Sequence, residues 1–206
     1  PDALPAQNEV FRAGNASETF DGGPGSDRVI YTGKRADYDV DMQREGFVVV
    51  TRTAADVDKL FSIERIIFSD GAYIYDLDSP NAKASYLLYG GAFDRSPDEG
   101  GLRYWTNGWL DKGSSLHGAA QRFLASDEFI DRYGTKLTDA QFVDALYLNV
   151  LHRAGEQGGV DYWNGYLAKD EGDRADVLLR FTQSDEYAAS RAGDIDDGFW
   201  VINPSV

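Results

Sequence analysis

Arg95-Ser96-Pro97-Asp98-Glu99-Gly100-Gly101-Leu102-Arg103-Tyr104-Trp105 returns further along the chain as Arg153-Ala154-Gly155-Glu156-Gln157-Gly158-Gly159-Val160-Asp161-Tyr162-Trp163. Working outward, twelve identical residues keep one offset of 58, from Leu88-Tyr89 repeated as Leu146-Tyr147 to Ser126-Asp127-Glu128 repeated as Ser184-Asp185-Glu186. Arg122-Phe123 returns in the same way as Arg180-Phe181. An offset that never slips marks a duplicated structural unit without insertions, and a period of this length suits a small multi-helix unit used twice.

The helix signals agree. Leu116, Ala119, Ala120, Phe123 and Leu124 fall on one face of a 3.6-residue period. Ser79-Pro80 and Ser96-Pro97-Asp98-Glu99 place a capping hydroxyl before a proline at the first helical position. Ser126-Asp127-Glu128 and Ser184-Asp185-Glu186 put acids in a first turn, where the helix dipole favours them. These signals predict four helices per copy, at 80–93, 97–111, 115–125 and a short one from 127.

Before Ser79 the pattern is that of strands. Arg28–Thr32, Tyr38–Met42, Phe47–Thr51, Ile66–Phe68 and Tyr73–Tyr75 are rich in β-branched and aromatic residues and are separated by Gly33, Gly46 and Asp70-Gly71. The expected class is α+β. A β domain at 1–78, containing a short β-roll turn and antiparallel strands, precedes an all-α domain at 79–193. The helical repeats are expected at 80–134 and 138–192, with a C-terminal tail at 194–206.

The 206 residues carry a net charge of −15, which argues against nucleic acid and anionic membrane surfaces as partners. With 42% hydrophobic and 13% aromatic residues the chain folds rather than staying disordered. There is no cysteine, so disulfides and thiolate chemistry are excluded. No apolar run reaches the length of a membrane span, and Pro1–Val10 lacks the pattern of a cleaved signal peptide.

One stretch carries metal chemistry. Gly22-Gly23-Pro24-Gly25-Ser26-Asp27-Arg28-Val29-Ile30 fits the nonapeptide G-G-x-G-x-D-x-U-x at every specified position. Glycines allow sharp turns with inward carbonyls, the aspartate adds a carboxylate, and calcium prefers an all-oxygen shell. The preceding nine residues, Ala13–Asp21, form a degraded copy that keeps Gly14 and places Glu18 where aspartate is expected. The expectation is a Ca2+ site at Asn15, Glu18, Gly23, Gly25 and Asp27.

This nonapeptide resembles the RTX family of secreted calcium-binding proteins. The segments Tyr31–Val40 and Asp58–Gly71 resemble the small β module that often follows RTX turns. Arg95–Trp105 and Phe123–Phe129 resemble the secreted-protein family catalogued as "domain of unknown function 4214". The resemblance implies export by type I secretion and a working place outside the cell or at its surface. The ending Asp194–Ile202 looks like an uncleaved export tail.

Trp105 and Trp163 hold equivalent places in the two copies, which marks them as core, whereas Trp109 aligns with Leu167 and Trp200 lies in the tail, so these two are the expected surface aromatics. Arg95 and Arg153 each tie a turn to a neighbouring helix, with Asp98 and Glu99 as expected partners of Arg95. The only histidines, His117 and His152, occupy non-equivalent positions and belong to no catalytic motif, so catalysis is not expected.

The expected function is a non-enzymatic extracellular binding or adhesion module whose partner is a surface polysaccharide or an extracellular protein, without membrane insertion. The alternatives are an accessory or export domain of a type I secreted enzyme and a structural subunit of an extracellular assembly. Because the second copy loses the capped turn and Trp109, the contact is expected in the first copy, at Asp98, Arg103 and Trp109.

Overall fold

The first three strands start at Val10, Thr19 and Arg28, nine residues apart. A chain that reverses every nine residues winds into a two-sheeted roll, and the computed structural model shows that arrangement. It describes residues 7–77 and 79–202; residues 1–6 of the expected N-terminal stretch, Asp78 at the expected domain boundary and 203–206 of the expected tail lie outside the described residues.

Strands β1 (Val10–Arg12) and β3 (Arg28–Ile30) pair in parallel, and β3 continues in parallel to β7 (Arg65–Phe68). Strand β2 (Thr19–Asp21) belongs to the other sheet, parallel to β6 (Asp56–Phe61). Antiparallel β4 (Asp39–Met42) and β5 (Val48–Thr53) complete that second sheet in the order β2-β6-β5-β4. Period-2 alternation points Phe20, Val29, Val48, Leu60 and Ile66 into one core. Strands β1 and β2 carry no strong strand signal of their own, because three-residue strands are too short for alternation to register, and β6 hides its alternation because two of its three buried positions are the acids Asp56 and Asp58.

The first sheet ends with β8 (Gly71–Ile74) and then β9 (Phe199–Val201), which arrives from the far end of the chain. This corrects the tail reading. Among the described residues, 193–202 cluster with the β unit, and unit 2 runs from Ser79 to Ala192. Trp200 is a core side chain, not a surface aromatic: it is 9% exposed, with ring centroids of Tyr73 at 5.2 Å and Phe68 at 6.1 Å. The unpaired N–H and C=O groups of β8 demand a partner strand, and the C-terminal segment supplies it.

In the helical unit, α1 (Pro80–Phe93) is buried along nearly all of its length from Ser85 onward. It packs against α2 (Glu99–Arg103), the π-helical turn Tyr104–Leu110, α3 (Leu116–Leu124) and α4 (Asp127–Tyr133) of its own copy, and against α7 (Arg174–Thr182) of the other. The second copy is α5 (Asp139–Asn149), α6 (Gln157–Ala168), α7 and α8 (Asp185–Ser190). A short helix, α9 (Ala192–Ile195), follows.

Helices α3 and α7 occupy equivalent places and pack on each other. Ala119 and Ala120 on α3 correspond to Val177 and Leu178 on α7, and all four are buried. Small residues on one helix and large ones on the other fill the interface without voids. No helix among the described residues is long and apolar enough to cross a membrane.

Trp200→Ala removes a core indole and should destabilise the β unit by about 3–5 kcal/mol. Urea unfolding followed by far-UV circular dichroism reads this directly. An unchanged midpoint would mean that β9 contributes nothing to the sheet.

Candidate functional site

Five of the twelve repeated residues, Tyr89, Arg95, Trp105, Phe123 and Glu128 with their counterparts, converge on one arrangement, built twice. In the first copy Tyr89 meets Phe123 edge-on at 4.9 Å, and Trp105 packs on the same Phe123 at 4.9 Å. In the second, Tyr147 meets Phe181 at 4.9 Å and Trp163 meets it at 5.7 Å. Burial, followed by the charge of Asp98, pushes the Tyr89 phenol up to about 12, and burial raises Tyr147 as well.

An arginine lies over each tyrosine, with the guanidinium of Arg95 at 5.3 Å from the Tyr89 ring and that of Arg153 at 5.3 Å from Tyr147. Each then forks onto a glutamate in the first turn of the last helix. Arg95 donates to Glu128 at 2.6 and 2.9 Å, and Arg153 to Glu186 at 2.7 and 3.1 Å. Sequence reasoning placed the tie correctly and the partner wrongly, because Asp98 and Glu99 have other work. It also gave the repeated acids only a helix-dipole role, whereas the second of each pair receives the arginine. The bond to Arg153 holds the carboxyl of Glu186 below its ordinary range.

The two copies differ in what covers the phenylalanine. In the first, Phe93 lies flat on Phe123, with centroids 5.0 Å apart and planes at 14°. Trp109, carried on the π-helical turn, lies under the guanidinium of Arg122 at 4.5 Å. In the second copy Leu151 and Leu167 stand at these two positions, and α6 is regular. A cavity of about 140 Å³ opens there, lined by Leu151, Trp163 and Phe181 with Arg153, Arg180 and Glu186 at its wall. The corresponding surface of the first copy is a depression lined by Phe93 and the charged residues around it, and Tyr89, Trp105 and Phe123 do not line it.

The three expected contact residues serve the first copy's own structure. Asp98 caps α2 by accepting from the Gly101 N–H at 2.8 Å. Arg103 pairs at 2.8 Å with Glu99, which is only 3% exposed. Trp109 donates its indole N–H to Ser115 O at 3.0 Å. None of them lines the second-copy cavity. The signal that could have found the cavity was the pair of large-to-small differences, Phe93 to Leu151 and Trp109 to Leu167, read as space instead of as loss.

The five expected calcium ligands divide between two turns. Asn15 and Glu18 precede β2 in one sheet, whereas Gly23, Gly25 and Asp27 precede β3 in the other, so the two groups lie at opposite edges of the roll. In a roll the turns that stack are two apart, not adjacent. Glu9, Asp27 and Glu64 therefore form one column, and Glu18 and Asp58 the other. Within each column a carboxylate accepts the backbone N–H of its neighbour: Glu9 N to Asp27 Oδ1 at 2.6 Å, Asp27 N to Glu64 Oε2 at 2.7 Å, and Glu18 N to Asp58 Oδ1 at 2.8 Å. Glu18 also accepts from Gly14 N at 2.6 Å, and Asn15 accepts from Arg52 at 2.9 Å. Asp27 is wholly buried, and its Oδ2 has no hydrogen-bond partner among the described residues.

A third cluster joins His117 to Asp173 at 2.9 Å and to Asp176 at 3.5 Å. Both aspartates already form the capping box of α7, and Gln121 adds a bond to Asp173 at 2.9 Å. This cluster fastens α3 to α7. The β unit also holds a cavity of about 320 Å³ lined by Met42, Ile74, Tyr75, Ile195 and Phe199 among others, larger than the helical one but without a counterpart that shows what would fill it.

Adjacent glycines test the geometry of the second copy. A Cβ on Gly159 would run into the Tyr147 hydroxyl, whereas one on Gly158 meets nothing within 4 Å. Gly159→Ala should cost about 1–3 kcal/mol through overpacking, and Gly158→Ala should stabilise by about 0.4–1 kcal/mol. Equal effects in chemical denaturation would show that the tyrosine does not pack as described.

Residues 120–191 match the sequence model of a family described as "Domain of unknown function (DUF4214)". The match contains every residue lining the second-copy cavity. No curated protein and no solved structure matches the chain.

Proposed function

We propose that this chain is a non-enzymatic binding or adhesion module that works outside the cell or at its surface. The helical unit makes the contact, with a surface polysaccharide or an extracellular protein, and the β unit folds with the help of calcium. The observation carrying this reading is that one framework was used twice, with its tyrosine, tryptophan and phenylalanine covered by Phe93 in the first copy and lining a cavity in the second.

The groups around the open cavity suit binding better than catalysis. Arg153 is engaged by Glu186 and by Glu156 at 2.7 Å. The Ser184 hydroxyl donates to Phe181 O at 2.8 Å and accepts from Tyr187 N at 3.2 Å, so it is the cap of α8 and has no adjacent base. A catalytic nucleophile needs such a base or a lowered pKa.

Calcium is supported by the chemistry of one column. Asp27 offers a buried carboxylate oxygen without a partner, and a carboxylate in that state is costly unless a cation or donor meets it. Backbone carbonyls of Gln7 and Ser62 lie against Gly25 and Gly22 in the same turn region, which supplies further oxygen of the kind calcium prefers. Asp27, Gly23 and Gly25 would hold the ion, whereas Asn15 and Glu18 belong to the opposite edge. Bound there, calcium would supply charge neutralisation and tie stacked turns together.

Two measurements test the reading. Calcium should raise the melting temperature of the protein, and Asp27→Asn should abolish that rise; an equal rise in the variant would remove the site. Purified protein should bind cell-surface material of the producing cells, and Leu151→Phe should weaken binding about tenfold or more, equivalent to about 1.4 kcal/mol. The absence of binding to any surface fraction would overturn the module reading.

A further inference from the structure

We propose that the second-copy cavity receives the aromatic side chain of a partner polypeptide, seated face-on against Phe181, with a neighbouring carboxylate of the partner on Arg180. This deepens the binding-module reading and rests on it.

The first copy shows the slot occupied. There Phe93 covers Phe123 in a near-parallel stack at 5.0 Å, beneath the guanidinium of Arg95 at 5.6 Å. Tyr89, Arg95, Trp105, Phe123 and Glu128 recur as Tyr147, Arg153, Trp163, Phe181 and Glu186, whereas the covering Phe93 becomes Leu151 and its neighbours Asp94, Trp109, Asp131 and Arg132 become His152, Leu167, Ala189 and Ser190. The second copy thus keeps the receptor for a phenyl ring and lacks the chain's own ring to fill it. The volume agrees: the cavity measures about 140 Å³, close to the roughly 150 Å³ of an apolar cavity that takes up benzene.

The polar groups decide against a sugar ring. A pyranose carries hydroxyls around its rim, each needing a partner when it enters a site. Here the Arg153 guanidinium is held by Glu186 and Glu156, and the Ser184 hydroxyl is taken up by Phe181 O and the Tyr187 N–H. Little hydrogen-bonding capacity is left for a hydroxyl rim. The face of an aromatic ring needs none.

Arg180 is the exception. It is exposed, lines the cavity, and among the described residues makes no hydrogen bond or ion pair. Its counterpart Arg122 lies on the Trp109 ring; with Leu167 at the equivalent place, Arg180 keeps its charge available. A guanidinium beside an aromatic slot favours a ring by cation–π attraction and a carboxylate by a forked pair.

The test uses the complete chain with the dipeptides acetyl-Phe-Asp-amide, acetyl-Leu-Asp-amide and acetyl-Phe-Asn-amide as probes. Binding is read from the Trp163 indole N–H resonance. The Phe-Asp probe should give a saturable shift at millimolar concentration, with the Leu-Asp probe about tenfold weaker or worse. Leu151→Phe should abolish the shift because the protein then carries its own plug, as the first copy does. Its urea midpoint, equal to or above that of the unsubstituted protein, shows that the loss is not unfolding. Arg180→Gln should weaken Phe-Asp binding severalfold and Phe-Asn binding by less, since only the Phe-Asp probe loses the carboxylate pair as well as the ring contact.

No saturable shift with Phe-Asp, equal binding of Phe-Asp and Leu-Asp, or undiminished binding by Leu151→Phe would each overturn the proposal. If the peptide fails while extracted surface polysaccharide binds and Leu151→Phe blocks it, this inference falls and the module reading stands. If neither ligand binds, both fall.

Discussion

Each copy of the helical unit depends on one aromatic contact, the edge of a tyrosine against a phenylalanine with a tryptophan closing the other side. The rings are contributed by three different helical segments of a copy, so none of them can shift without opening the others. Buried aromatics of this kind lose about 3–5 kcal/mol on truncation. The arginine–glutamate fork over the tyrosine is more exposed and adds little energy of its own, since surface ion pairs are screened and cost side-chain entropy. Its role is geometric. It fixes the last short helix of each copy, too short to be stable alone, against the turn that precedes the tryptophan helix.

The same framework yields two surfaces because the residues at its rim differ: Phe93, Asp94, Trp109, Asp131 and Arg132 are Leu151, His152, Leu167, Ala189 and Ser190 in the second copy. Phe93 and Trp109 close the first copy, and the smaller Leu151 and Leu167 leave the second open.

The β unit solves a different problem. Three-residue strands bury little each, and the turns between them leave backbone N–H groups at the edges of the roll. Columns of carboxylates meet those groups, Asp27 and Glu64 on one edge and Asp58 on the other. Charge-assisted bonds of this sort are roughly twice as strong as neutral ones. The cost is a set of stacked acids, and Asp27, buried with one oxygen unmatched, carries most of it. A cation at that edge would relieve what the protein groups leave unpaired.

The sequence by itself determined the class, the duplication and most helix starts, because these rest on local signals: a fixed offset, a 3.6-residue period, and capping residues whose chemistry acts within four residues. The expected start at Pro97 with Ser96 as cap was misplaced, because Asp98 is the residue that caps α2. Tertiary structure decided the rest. A three-residue strand such as β2 is defined by its partner, so its pairing with Lys59–Phe61 could not be read locally. Nor could the return of Phe199–Val201 to the sheet edge at β8, where the partner lies more than a hundred residues away. Arg95 finds Glu128 and not its neighbours Asp98 and Glu99 for the same reason: a side chain's partner is set by which helix end folds over it. Whether a missing aromatic means lost function or an opened site depends on what surrounds it, and only the packed copy, with Phe93 on Phe123, shows that the second copy holds space where the first holds a ring.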